Sequence, residues 1–338
     1  MSNAGGQNSR QYEETRRRLF GKHPELEAQL KIIETQDSSF FETIFETILK
    51  IEKAYTKSRG SYESTLAQLV GELSGLDTAS QTMHSIRHRL KDVDSLLAKI
   101  IMKRAQVSRD WTTNPEIEKY RNISEKNYYK IITDIIGIRI LIRYRHQWKA
   151  VHELIWSKYY DSTRPYISDW EGDYVSDPGV KYIVEQPKAY VKQEEDRKNY
   201  EDIGKNILDI RSSDNKYASI HYIINLGGRY VELQVRTIFD EAWCECNHDF
   251  VYKKQHQGAK VNQEILSRLS VILSQHTTAA ESITSLMYEL ASPSARSEGL
   301  HEGSTLSPAP SEKVKKTFRG IQKYAEKLSI EERKEEYE

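Results

Sequence analysis

The chain reads as a domain of mixed helix and strand, and three observations on its 338 residues say so. Helical stripes of apolar residues run near both ends. A glycine-turned hairpin lies late in the chain, and a nearly unbroken apolar run, Ile135 to Ile142, occupies the middle.

From about Ser38 to Leu73, Phe41, Ile44, Ile48 and Ile51 recur at steps of three and four, as one face of a helix requires. A break is expected at Ser58-Arg59-Gly60, after which Leu66, Leu69, Val70 and Leu73 resume the stripe. Met83–Lys91 alternates instead: Ile86, His88 and Leu90 point one way, and Arg87, Arg89 and Lys91 the other. Asp92 suits the N-cap of a following helix and Asp94 its first turn. On that helix Ser95 and Lys99 lie one turn apart and share a face.

Asp134 stands just before the apolar run, which reads as a central strand. Between Trp156 and Asp209 the chain is polar and interrupted by Pro165, Pro178 and Pro187, so an insertion of loops or short strands is expected over about 157–208. Tyr217–Asn225 and Arg229–Arg236 flank Gly227-Gly228, a two-residue hairpin signal. Pairing Leu226 with Arg229 sets Ile220 against Val235, Tyr222 against Leu233 and Ile224 against Val231, an apolar face for the core. The opposite face then carries Tyr217, Ser219, His221, Glu232, Gln234 and Arg236. Asn262–Leu290 is helical again, with Ile265, Leu269, Ile272, Ile283 and Leu286 on a stripe.

These elements divide the chain into a partly disordered extension (1–37), a main domain (38–292), a linker rich in Ser, Pro and Gly (293–312) and a charged helical tail (313–338). Ser2–Gly6, small and polar, is left out of the fold reasoning.

Composition narrows the function. Lys and Arg number 50, as do Asp and Glu, so no global field favours nucleic acid or an anionic membrane, and any basic site is local. No stretch approaches the roughly 20 apolar residues of a membrane span, and no apolar leader opens the chain. Two cysteines, Cys244 and Cys246, are too close together for a disulfide framework, which makes a reducing, cytoplasmic setting the expectation. With His248 they suggest a metal, but residues two apart on a helix do not share a face, and ordinary helix positions are the better reading. Neither the Gly-rich Lys/Thr phosphate loop nor the dinucleotide fingerprint is present.

What remains is a set of residues suited to polyphosphate. A strand delivering Arg and Lys into a turn, with Ser and Lys on the next helix, can hold phosphates from several sides. Asp134 and Glu232 make a sensible pair for Mg²⁺, which prefers few carboxylates plus substrate oxygens.

Arg89-x-Lys91-x-x-x-Ser95-x-x-x-Lys99, Asp134-x-x-Gly137-x-Arg139, Tyr217-x-Ser219-x-His221 and Glu232-x-Gln234-x-Arg236-Thr237 together resemble the synthetase domain of the RelA/SpoT family, over roughly Phe40 to Leu290. The resemblance implies an α+β, nucleotidyltransferase-like fold, a mixed sheet flanked by helices, with helical extensions at both ends. It implies pyrophosphate transfer from ATP to the 3′-hydroxyl of GDP or GTP, making ppGpp or pppGpp. Arg89, Lys91, Ser95, Lys99 and Arg139 are then the ATP-binding residues, and Tyr217, His221, Gln234 and Arg236 the acceptor-binding ones. Asp134 and Glu232 are the catalytic, Mg²⁺-binding carboxylates, and Asp240, Trp243 and His248 fit the helix that follows.

Three departures accompany the likeness. The family's Lys-x-Asn-Gly run before the stacking tyrosine is here Ser213-Asp-Asn-Lys216. The 157–208 segment exceeds what compact small synthetases need. No upstream His-Asp hydrolase domain is expected. Two other readings stay open: a toxic relative that pyrophosphorylates the 3′ end of tRNA, and a catalytically dead nucleotide-binding module. A homo-oligomer is left open as well.

Overall fold

The computed structural model describes residues 4–24, 26–27, 30, 38–80, 82–109, 115–164, 166, 180–201, 207–213, 217–252 and 260–291. The expected linker and charged tail lie outside the described residues, as does Asp214–Lys216 of the altered run before Tyr217.

Chain order begins with α1 (Ala4–Lys22), α2 (Ser38–Ser80), β1 (Ser85–Leu90) and α3 (Val93–Arg109), followed by single turns α4 (Pro115–Glu118) and α5 (Tyr128–Ile131). Next come β2 (Ile136–Ile142), α6 (Trp148–Tyr159), β3 (Lys181–Ile183), β4 (Lys188–Val191), the turn α7 (Lys198–Glu201) and β5 (Asp209–Ser212). The chain closes with β6 (Ser219–Leu226), β7 (Arg229–Thr237), α8 (Ile238–Cys246) and α9 (Lys260–Ala291).

The strands form one mixed sheet in the order β1-β2-β7-β6-β4-β5, with β3 also paired to β6. β2 runs parallel to β7 and β4 to β5; the other pairings are antiparallel. The architecture is therefore α+β, as expected. Register in the hairpin matches the sequence reading: Ile220 opposes Val235, Tyr222 opposes Leu233 and Ile224 opposes Val231. Gly227 and Gly228 adopt φ of 59° and 85°, a turn that side chains with a Cβ enter at a cost.

One sheet face is the core. Ile136, Ile138 and Ile140 of β2 and Val231, Leu233 and Val235 of β7 pack with Ile44, Ile48 and Leu69 of α2, Leu97 and Ile101 of α3, and Val151 and Ile155 of α6. The other face of β1, β2 and β7 is polar, and the cleft described below opens on it.

One expectation needs correction. Helix α2 runs unbroken through Ser58-Arg59-Gly60. Tyr55 and Tyr62, both buried and stacked at 5.7 Å, carry the stripe where aliphatic residues stop. The 157–208 segment supplies the short strands β3 and β4, and Ile183, Ala189 and Val191 are core residues. Short strands with period-two burial hide easily among prolines and charges.

The N-terminal extension is a helix from Ala4 to Lys22 that buries Leu19, and Leu26 beyond it is buried too. Arg18 Nε lies 2.7 Å and Lys22 Nζ 2.5 Å from the buried carboxylate of Asp94, so the residue expected to serve the helix dipole also fastens α1. Helix α9 covers the stretch read as helical, and its stripe faces outward: Ile265, Leu269, Ile272 and Ile283 are exposed, and only Leu286 of the five is buried. The helix buries Ser274, Thr277 and Glu281 instead, because Arg145 forms a two-pronged ion pair with Glu281. No helix among the described residues is long and apolar enough to cross a membrane.

Candidate active site

Strand pairing lays the polar side chains out in rows. Arg89, Gly137 and Glu232 are paired across β1, β2 and β7. One row further along, Arg87, Arg139, Gln234, His221 and Lys188 are paired across β1, β2, β7, β6 and β4. Successive rows on one face are about 7 Å apart. Arg87, Arg89, Asp134, Gly137, Arg139, Glu232 and Gln234 line one cleft. Gly137 leaves its floor bare between Arg89 and Glu232; a Cβ there would meet only the Arg89 side chain and carbonyl, none closer than 3.7 Å.

At one end, Asp134 Oδ2 lies 2.7 Å from Lys91 Nζ and Oδ1 3.0 Å from Lys99 Nζ. Burial alone would raise the Asp134 pKa, but the two ammonium groups overcome it and hold the carboxyl far below the usual range. Burial lowers the pKa of Lys91, whereas Lys99 gains enough from Asp134 to be raised despite its own burial. Two cations against one carboxylate leave this end positive. Asp92 caps α3 as expected, accepting from Ser95 N at 3.1 Å. The Ser95 hydroxyl also donates to Asp92, at 3.4 Å, so Ser95 is engaged with its own cap rather than with the cleft lining.

Glu232 is the meeting point of two hydrogen-bond chains that start on Arg236. In the first, Arg236 Nη2 donates to the Tyr217 hydroxyl at 3.2 Å, which meets His221 Nε2 at 2.8 Å, and His221 Nδ1 sits 3.3 Å from Glu232 Oε1. In the second, Arg236 donates to Gln234 Oε1, and Gln234 Nε2 donates to Glu232 Oε2 at 2.8 Å. Burial pushes the Glu232 pKa up, but the His221 hydrogen bond and charge bring it below the ordinary value. Burial raises the Tyr217 phenol to about 12, and the Arg236 guanidinium lies 5.3 Å over its ring centroid.

All the expected carboxylates, tyrosine and histidine thus converge, with Arg89 and Arg139 on the lining and Lys91 and Lys99 behind Asp134. Asp240 and Trp243 do other work: Asp240 pairs with Lys192 at 2.5 Å, and Trp243 Nε1 donates to Ser270 O at 3.0 Å. Arg87 joins the lining, and the buried Glu241 stands against Arg87, Arg139 and Arg236. Glu241 escaped the sequence reading because an acidic residue in a first helical turn already has a dipole explanation.

Cys244 and Cys246 are free thiols. Among the described residues no group of three or more His, Cys, Asp or Glu side chains could hold a metal ion. Asp134 and Glu232, two hard carboxylates on one cleft, fit Mg²⁺, whose remaining ligands are ordinarily water and substrate oxygens.

Fold and cleft set several guanidinium and ammonium groups beside the carboxylates of Asp134 and Glu232 on one polar sheet face. Residues 88–257, half of the chain, match the family model described as the region found in RelA / SpoT proteins. The chain belongs to the RelA/SpoT family. No curated protein matches the sequence. Among solved structures it is similar to a GTP pyrophosphokinase family protein from Streptococcus pneumoniae, at 16% identity over 74% of this chain and 98% of that one, with a TM-score of 0.44. It is also similar to small alarmone synthetase 1 from Bacillus subtilis bound to its product pppGpp, at 16% identity over 73% and 100%, with a TM-score of 0.43. Small alarmone synthetase 2 from Bacillus subtilis gives 17% identity over 68% and 98%, with a TM-score of 0.37.

Proposed function

We propose that this chain transfers the β,γ-pyrophosphoryl group of ATP to the 3′-hydroxyl of GDP or GTP, releasing AMP. One observation carries the reading. Glu232 lies on a single cleft between the cations gathered around Asp134 and the Tyr217–His221–Gln234–Arg236 cluster.

The 3′-oxygen attacks the β-phosphorus, the bond from that phosphorus to the bridging α–β oxygen breaks, and the AMP oxygen leaves with the electron pair. Such chemistry needs positioning and charge neutralisation more than covalent help. Arg89, Lys91, Lys99 and Arg139 hold the donor. The Glu232 carboxylate, ionised at neutral pH, accepts the hydroxyl proton. His221 and Gln234 fix its orientation, and Tyr217 offers an aromatic platform for the acceptor base. Mg²⁺ held by Asp134 and Glu232 would neutralise charge developing on the phosphates.

The run Ser213-Asp-Asn-Lys216, which departs from Lys-x-Asn-Gly, favours a second reading with the 3′ end of tRNA as acceptor. The test is incubation with γ-³²P-ATP and Mg²⁺ plus GDP, GTP or deacylated tRNA. Labelled guanosine tetra- or pentaphosphate is expected. Label running only at tRNA size, suppressed by moderate salt, would replace the first reading with the second. No label on any acceptor would leave a nucleotide-binding module.

A further inference from the structure

Helix α8 opens with two adjacent carboxylates that turn opposite ways. Asp240 turns toward Lys192, just after β4, and Arg145, between β2 and α6, whose Nζ and Nη2 lie 2.5 Å and 4.0 Å away. Glu241 turns toward the cleft. Its Oε1 is 3.1 Å from Arg139 Nη1 and 3.4 Å from Arg87 Nη1, and its Oε2 is 3.2 Å from Arg236 Nη1. The arginines come from β2, β1 and β7, so one buried carboxylate gathers guanidinium groups from three neighbouring strands. Their side chains are 26%, 60% and 3% exposed respectively, a gradient from the open cleft to the interior. Glu245 adds a second carboxylate, 2.6 Å from Arg139 Nη1, leaving three cations facing two anions.

A purely architectural role, pinning α8 to the sheet, is already filled by others. Thr237 caps the helix, accepting from Asp240 N at 3.1 Å. Lys192 holds Asp240, and Trp243 ties the helix to Ser270 O on α9. What Glu241 adds is restraint on three long side chains that otherwise lose rotamer freedom only when substrate arrives.

We infer that Glu241 is a positioning residue that links the two nucleotide subsites. It holds Arg139 on the donor side and Arg236 on the acceptor side with its two oxygens, and makes Arg87 a further substrate-binding cation. The division into donor and acceptor rests on the function proposed above. Because one rigid carboxylate sets both arginines, filling one subsite presets the other, and each nucleotide tightens the site for its partner.

The experiment uses the full chain as wild type, Glu241→Gln and Arg87→Ala. The KM for ATP is measured at several fixed acceptor concentrations, alongside kcat and the melting temperature. In wild type, KM for ATP falls as acceptor rises. In Glu241→Gln both KM values rise on the order of tenfold or more, kcat changes little, and the acceptor dependence disappears. Unchanged KM values with the dependence retained would overturn the inference. So would a collapse of melting temperature with KM unaltered, the mark of an anchor alone. Arg87→Ala, which removes the most exposed of the three, raises the ATP KM with the melting temperature unmoved; an unaltered KM removes Arg87 from the site.

Titration calorimetry with a non-hydrolysable ATP analogue and GDP keeps the inference testable if no acceptor takes label. Weaker binding of both nucleotides to Glu241→Gln then supports the positioning role although the proposed reaction has failed. Equal binding overturns it.

Discussion

His221 Nδ1 lies 3.3 Å from Glu232 Oε1 across the β6–β7 hairpin, and this contact fixes the carboxylate proposed as the base. Burial opposes ionisation of Glu232, and the imidazole more than offsets it.

Glu232→Gln should therefore keep the fold and lose transfer, by roughly 10²- to 10⁴-fold in kcat if proton removal is its contribution. Circular dichroism checks the fold and the labelled-ATP assay the rate. A variant turning over at near wild-type speed removes Glu232 from the mechanism. The lowered pKa also places any acid limb due to Glu232 below the ordinary glutamate range. Because His221 supplies that lowering, His221→Asn should move the limb to higher pH; a limb that stays where wild type has it would contradict the placement.

Arg89→Ala should raise the KM for ATP by tenfold to a hundredfold, since a charged contact of this type is worth about 1.5–3 kcal/mol. Lys91→Ala should do the same and also weaken the hold on Asp134, which keeps only Lys99 of the two lysines. Saturation curves for ATP that overlay wild type in both variants would move the donor site elsewhere.

Tyr217 separates its ring from its hydroxyl. Tyr217→Ala should raise the acceptor KM by an amount corresponding to about 1–3 kcal/mol of lost stacking and leave the ATP KM at saturating acceptor alone. Tyr217→Phe keeps the ring but removes the link between Arg236 and His221, so its acceptor KM should stay near wild type while kcat falls. Equal acceptor KM values for the alanine variant and wild type would end the stacking assignment.

Stability should fall in mild acid because of His152, buried beneath the sheet with Nδ1 2.8 Å from the Tyr222 hydroxyl. Burial lowers its pKa to about 4, so the unfolded chain takes up a proton as pH drops below 6.5 while the folded chain does not. Stability is thus lost between pH 6.5 and 4, at most on the order of 3 kcal/mol. Urea unfolding of wild type and His152→Gln at pH 7 and pH 5 measures this. The same pH difference in both proteins would exclude His152 as its source.

Local chemistry alone determined much of this protein. Alternation and a Gly-Gly turn specify the β6–β7 register, because a one-residue slip would send every apolar side chain to the wrong face. That register is enough to bring His221, Glu232, Gln234 and Arg236 together. The spacing of Arg89, Lys91 and Lys99 likewise announces a basic end of the site. Tertiary structure decided what depends on partners distant in sequence. Glu241 meets Arg87 across 154 positions, a separation no periodicity encodes. Two of the strands in the 157–208 segment join the core only because β6 offers them an open edge. The stripe on α9 shows the converse: its spacing specified a helix, and the side turned inward is the polar one, where Glu281 pairs with Arg145. A buried ion pair left half-made costs more than a solvated leucine, so the charge rather than the apolar pattern set that helix.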